Sequence, residues 1–152
     1  MELILWRHAQ AEDGVPDLDR ALTPRGVKDA ARVARWLRAR LERGTTRVVC
    51  SPAVRTRQTA DALELDYEVS DALAPGAPPR AVLAAIGWPS GTGTLIVVGH
   101  NPWIGQLAAL LCSGRADAWT MRKGGLWWLV HRPGAGRTDC WVRAVISPEL
   151  LR

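Results

Sequence analysis

Three short stretches of this chain combine residue types that can handle a phosphoryl group. Arg7-His8 follows the apolar run Leu3-Ile4-Leu5-Trp6. Cys50-Ser51-Pro52 follows Arg47-Val48-Val49, with Arg55 close behind. Gly99-His100-Asn101 follows the run from Thr94 to Val98. The chain has 3 histidines, and two of them stand directly after apolar runs. Arginine presents a rigid fork of N–H donors that matches phosphate oxygens. A neutral imidazole is a competent phosphoryl acceptor, and a covalent intermediate divides one hard step into two. Nearby arginines lower a histidine pKa and keep its lone pair free at neutral pH. A second histidine, if charged, helps hold the equatorial oxygens.

These residues do chemistry together only if the fold gathers them, and the intervening pattern predicts such a fold. Leu3 to Trp6 reads as a buried strand. A polar loop from Ala9 to Leu22 carries Glu12, Asp13, Asp17 and Asp19. Thr23-Pro24 opens a helix, Thr as cap and Pro at the first helical position. Val27, Ala30, Ala31, Ala34, Leu37 and Leu41 recur at helical spacing, and Gly44 ends the run. Arg47 to Cys50 reads as a second strand. Ser51-Pro52 then opens a helix to about Leu63 by the same signal. Tyr67 to Val69 is a weak third strand, and Arg80 to Ile86 a short helix. Thr94 to Val98 is the strongest strand, and Asn101-Pro102 opens a helix to about Cys112. Leu126 to Val130 and Cys140 to Ile146 form a hairpin around Pro133-Gly134-Ala135-Gly136.

Alternating strands and helices predict an α/β fold: a three-layer αβα sandwich around a mostly parallel sheet, with an antiparallel C-terminal hairpin at one edge. Ligands in such sheets bind beyond the carboxyl ends of the strands, where all three stretches lie. Helix starts at Ser51 and Asn101 would add backbone N–H groups and positive dipole ends there.

Composition agrees with an ordinary folded chain. Of 152 residues, 47% are hydrophobic and 23% charged, which argues against disorder. This length buries enough surface to need no metal or disulfide staple. The three cysteines, Cys50, Cys112 and Cys140, lie far apart and form neither a disulfide framework nor zinc spacing. No apolar run approaches a membrane span, and the first residues predict no signal peptide, so the expected compartment is the cytoplasm. Residues 25–43 hold seven basic and two acidic side chains, which accounts for the whole net charge of +5. This pattern reads as a solvated helix face, with a docking surface as the alternative. No nucleic-acid motif accompanies it, so neither nucleic acid nor membrane is expected as a partner.

Other chemistries fit less well. Cysteine phosphatases place five residues between Cys and Arg, whereas Cys50 and Arg55 enclose four. Pro52 also removes a backbone N–H that such a loop would use. Gly91-Thr92-Gly93 precedes its strand and lacks a following Lys-Ser/Thr, so it reads as a turn. Zinc on His8 and His100 lacks a recognisable third ligand. His131 has no companions and reads as structural or exposed. Trp103 reads as core, with a place lining the pocket as the alternative, and at least one of Trp127 and Trp128 must face inward.

Four blocks in order carry a family resemblance. They are Leu5-Trp6-Arg7-His8-Ala9, Arg20-Ala21-Leu22-Thr23-Pro24-Arg25-Gly26, Ser51 to Ala60 (Ser-Pro-Ala-Val-Arg-Thr-Arg-Gln-Thr-Ala) and Val97-Val98-Gly99-His100-Asn101-Pro102. Residues 2 to 112 resemble the histidine phosphatase superfamily, and their spacing resembles its SixA-type phosphohistidine phosphatase branch. With no linker, repeat or low-complexity tract, the chain reads as one domain over 1–152, and the resemblance makes that domain histidine phosphatase-like. It makes His8 the nucleophile, Arg7 and Arg55 phosphate ligands, and His100 the residue that completes the pocket. Arg20 matches a family arginine at the pocket rim. No metal or other cofactor is implied. Ala9 replaces the superfamily's commoner glycine, a change that the SixA-type branch often shows.

Larger family members add an insertion that supplies a carboxyl proton donor. Only 44 residues separate Arg55 from His100, which leaves little room for one. Asp71 is the one candidate donor in that interval. A poor acid suits a phosphoramidate, because imidazole titrates near pH 6.5 and departs with far less help than an alkoxide. The expected substrate is therefore phosphohistidine on a signalling or phosphotransfer protein. A small phosphate ester is the alternative within the same chemistry. A non-catalytic phosphate- or nucleic-acid-binding module is the alternative outside it.

Overall fold

The computed structural model of the chain describes residues 1–132, 134 and 140–151. Six strands form one sheet: β1 (Glu2–Arg7), β2 (Thr46–Cys50), β3 (Glu68–Val69), β4 (Thr94–Gly99), β5 (Leu126–His131) and β6 (Cys140–Ile146). Their order across the sheet is β3-β2-β4-β1-β5-β6. The first four neighbours pair in parallel, and β5 pairs antiparallel with both β1 and β6. Helices α1 (Pro24–Arg38), α2 (Val54–Asp61), α3 (Pro79–Ala85) and α4 (Trp103–Ser113) complete the expected sandwich. The turn proposed around Pro133 to Gly136 lies largely outside the described residues.

Alternation along β1 shows why both faces need cover. Leu3 and Leu5 join Trp103, Ile104 and Leu107 of α4 and Val82 and Leu83 of α3 in one core. Ile4 and Trp6 join Ala30, Val33, Ala34 and Leu37 of α1 and Ala60 of α2 in the other. Successive strand side chains point to opposite faces, so an unbroken apolar run requires a layer on each side. Trp128 enters the α1 side and Trp127 packs against the α4 side, so both tryptophans serve a core.

Helix boundaries differ from the sequence expectation at instructive places. The Thr23 hydroxyl does cap α1, accepting from the Gly26 N–H at 2.9 Å. However, α1 ends at Arg38 rather than near Gly44. Its last turn tightens, with the Arg40 N–H donating to the Leu37 carbonyl. Leu41 still packs against the α1 core from that turn, which imitates helical periodicity. The buried face is Gly26, Ala30, Val33, Ala34 and Leu37, while Val27 is 54% exposed. Of the basic run, Arg25 and Arg32 pair with Asp29, Arg38 donates to the Ala62 carbonyl, and Arg40 lies over Trp36. The contacts of Arg25, Arg32 and Arg40 stay within their own segment, as on a solvated helix face, whereas Arg38 reaches across to the end of α2.

The other two cap-plus-proline signals mark strand-end loops instead of helix caps. The α2 helix begins at Val54, three residues beyond the expected cap Ser51, and α4 at Trp103, two beyond Asn101. Gly99, between them, tolerates no side chain: a Cβ there would stand 2.0 Å from the ring of buried Trp103. Gly99→Ala is therefore expected to destabilise the protein by about 1–3 kcal/mol, the usual cost of overpacking. A lower urea midpoint with an unchanged slope is the expected result.

Candidate active site

Sheet register brings the sequence-distant residues together. Arg7 of β1 lies opposite Gly99 of β4, and Cys50 of β2 lies opposite Val98. The next residue on each strand is His8, His100 and Ser51 respectively. The His8 N–H donates to the Gly99 carbonyl at 3.1 Å, and the Ser51 N–H to Val98 at 3.2 Å. Three adjacent parallel strands thus end at one level and deliver both histidines to one rim. Their ring centroids are 5.3 Å apart.

His8 is 5% exposed. Its Nδ1 lies 2.7 Å from the Ala9 carbonyl oxygen. A carbonyl only accepts, so Nδ1 carries the proton and Nε2 keeps its lone pair. Burial pushes the His8 pKa down to about 4, helped by Arg55, Arg7 and Lys123 and opposed by the Ala9 bond. The ring is therefore neutral at physiological pH.

His100 is buried beside the Trp103 ring, and its Nε2 shares a 2.6 Å hydrogen bond with the Ser51 hydroxyl. Burial, then the charges of His8, Arg55 and Arg7, push its pKa down to about 3. Both histidines protonate more readily in the unfolded chain, near pH 6.5. Folded-state stability is thus complete above about pH 6.5 and falls as pH drops toward 4. Thermal midpoints measured between pH 7.5 and 4 should fall steadily. The fall should be shallower in His100→Gln.

Arg55, in the first turn of α2, is 4% exposed. Its Nη1 donates to the Asp17 carbonyl at 2.8 Å and its Nη2 to the Asp17 carboxylate at 3.0 Å. Arg7 is half-buried and donates from Nη1 to the Met121 carbonyl at 2.6 Å. Segment 121–125 wraps this end of β1: the Gly124 N–H reaches the carbonyls of both Arg7 and His8. Arg7 Nε, Arg55 Nε and His100 Nδ1 are buried without hydrogen-bond partners. Native proteins leave few such groups unpaired, and the two arginine Nε–H groups are donors still open to an acceptor.

The remaining candidates divide. Arg20 reaches the pocket through Asp17, pairing with its carboxylate at 3.0 Å while donating from Nε to the Glu12 carbonyl. Asp71 sits exposed in a 3₁₀ turn after β3. The bond from the Ser70 N–H to the Cys50 carbonyl sets it at the same strand-end rim. Cys50 is buried, and burial raises its thiol pKa to about 11, so it is no thiolate nucleophile at neutral pH. Among the described residues, no third His, Cys, Asp or Glu joins His8 and His100 in a group able to hold a metal ion. His131 stacks edge-on against Trp88, away from the pocket residues.

Three contributors were not singled out from sequence. Asp17 looked like one acid among four in a polar loop. Ser51 looked like a helix cap, yet its hydroxyl serves His100. Thr59 accepts from the Ala9 N–H at 3.1 Å and donates to the Arg55 carbonyl at 2.7 Å, bracing the loop after His8 against α2. The spacing of Asp17 and Arg20, three apart, was the one available hint of their ion pair.

Fold and site together define an α/β sandwich that gathers two arginines and two histidines at its strand ends. Comparison with known proteins agrees. The family model for the histidine phosphatase superfamily (branch 1) matches residues 3–74. A Mycobacterium tuberculosis relative is 40% identical over 111 residues, 70% of each chain. The Escherichia coli phosphohistidine phosphatase SixA is 32% identical over 75% of this chain and 76% of its own. The solved structure of a protein histidine phosphatase SixA complexed with tungstate aligns over 100% of both chains, with TM-score 0.84 and 25% identity. The chain belongs to the histidine phosphatase superfamily, in its SixA-like branch. Among the described residues, no helix is long and apolar enough to cross a membrane.

Proposed function

We propose that the protein is a metal-independent phosphohydrolase that removes phosphate from phosphohistidine on a signalling or phosphotransfer protein. The observation that carries this reading is the His8 ring. Its Nδ1–H is bound to the Ala9 carbonyl, its Nε2 lone pair is free, and Arg7 and Arg55, whose buried Nε donors are unpartnered, lie close enough to lower its pKa. Nε2 attacks phosphorus in line as the substrate's P–N bond breaks, so that phospho-His8 forms and the substrate imidazole leaves with the electron pair of that bond. Arg7 and Arg55 neutralise the equatorial oxygens during transfer, and His100, kept neutral by burial, completes the site as an uncharged ring. Water then attacks phospho-His8 and releases phosphate. The likeness to the E. coli phosphohistidine phosphatase supports the choice of substrate. So does the exposure of Asp71, which makes it a weakly placed acid for an ester leaving group.

The test is phosphate release from a phosphohistidine-bearing phosphotransfer domain, run beside p-nitrophenyl phosphate. Faster turnover of the phosphoprotein supports the reading. Ester turnover that matches or exceeds it moves the assignment to a small-molecule phosphatase with the same nucleophile. Binding without turnover of either substrate moves it to a phosphate-binding module.

A further inference from the structure

The phosphohistidine reading leaves the Asp17 carboxylate without a role. It stands on the solvent side of the pocket wall, 53% exposed, whereas the Arg55 side chain beneath it is 5% exposed. Three bonds strap it there. Arg55 Nη1 holds its carbonyl at 2.8 Å, Arg55 Nη2 holds Oδ2 at 3.0 Å, and Arg20 Nη1 holds Oδ1 at 3.0 Å.

We propose that Asp17 is a specificity-determining residue: its strapped carboxylate accepts the ring N–H of a protonated phosphohistidine and so favours that substrate over phosphate esters. The proposal rests on the phosphohistidine reading and deepens it. His8 forms the buried floor, so in-line transfer sends the leaving group toward solvent, the side that Asp17 borders. A phosphoryl oxygen entering beside the unpartnered Arg55 Nε competes with Oδ2 for the guanidinium. The carbonyl bond from Nη1 and the Arg20 bond to Oδ1 keep Asp17 in place meanwhile. Oδ2 then becomes an acceptor at the mouth.

The reactive phosphoimidazole carries a proton on its far nitrogen. As His8 Nε2 bonds to phosphorus, the old P–N bond breaks and its electron pair returns to the departing nitrogen. The far-side proton stays where it is, so a neutral imidazole leaves and no proton crosses to Asp17. The carboxylate stabilises the cationic ring by a charge-assisted hydrogen bond. An aryl phosphate instead expels an anion, which the same carboxylate repels.

Wild type, Asp17→Asn and Asp17→Glu should be compared on a phosphohistidine peptide and on p-nitrophenyl phosphate. The ratio of the two kcat/KM values should fall about tenfold in Asp17→Asn, the effect of losing one charge-assisted hydrogen bond. Asp17→Glu should recover part of the ratio, because the charge returns. Equal proportional losses on both substrates overturn the proposal, since Asp17 would then serve only to orient Arg55. Wild type active on p-nitrophenyl phosphate yet inactive on the peptide overturns both this proposal and the substrate assignment.

Discussion

His8→Ala is expected to lower kcat/KM by about 10⁴-fold or more, as loss of a covalent nucleophile does elsewhere. The reason is geometric as well as chemical. His100 lies within 5.3 Å, centroid to centroid, yet its Nε2 is engaged by Ser51. It is therefore poorly placed to replace the missing lone pair. Rapid acid-free quenching should trap a phosphoenzyme in wild type that is stable in alkali and labile in acid, and none in the variant. Phosphate release that survives His8→Ala would falsify the nucleophile assignment. Tungstate binding, measured by calorimetry, should persist in the variant, because the arginine donors remain. That second readout separates a lost nucleophile from a collapsed pocket.

The next largest effect is expected at Arg55. Arg55→Ala should lower kcat/KM by about 10²–10³-fold, the usual loss for one preorganised donor to developing charge. Arg55→Lys should recover little of it. An ammonium is a point charge, and it cannot reproduce the planar fork that reaches Asp17 with two nitrogens while Nε faces another way. Both variants also release Asp17 from the pocket wall. The 3₁₀ turn Asp17–Asp19 should then become more open to proteolysis, which limited digestion would register. Full activity in Arg55→Lys would mean that charge alone suffices at this position.

Much of the sheet could be read directly. Each apolar run became a strand, because β1, β2 and β4 are buried on both faces and tolerate little else. Helix ends were less legible. Ser51-Pro52 and Asn101-Pro102 have the composition of caps, but their polar side chains serve tertiary partners. Ser51 binds His100, and Asn101 donates to the Met121 carbonyl at 3.2 Å. A local signal cannot distinguish those uses, since the same oxygen or amide can bond a helix end or a distant neighbour. The α1 terminus was overrun for a related reason: Leu41 is apolar because it meets the core from a turn.

The sequence by itself determined the kinds of residue at the strand ends, and with them the chemistry of the pocket. Arg7-His8, Ser51 to Arg55 and Gly99-His100 each follow a short apolar run, and a parallel sheet presents such positions along one edge. The tertiary structure alone decided how they act on one another. It set Arg7 beside Gly99 and Cys50 beside Val98, a non-local register that places the two imidazoles side by side. It turned His8 Nδ1 to the Ala9 carbonyl and left Nε2 free. It brought Asp17 from the acidic loop onto Arg55. Residue type follows from local pattern. Tautomer, depressed pKa and ion-pair partner follow from what surrounds a side chain in three dimensions, and those neighbours come from segments far apart in the chain.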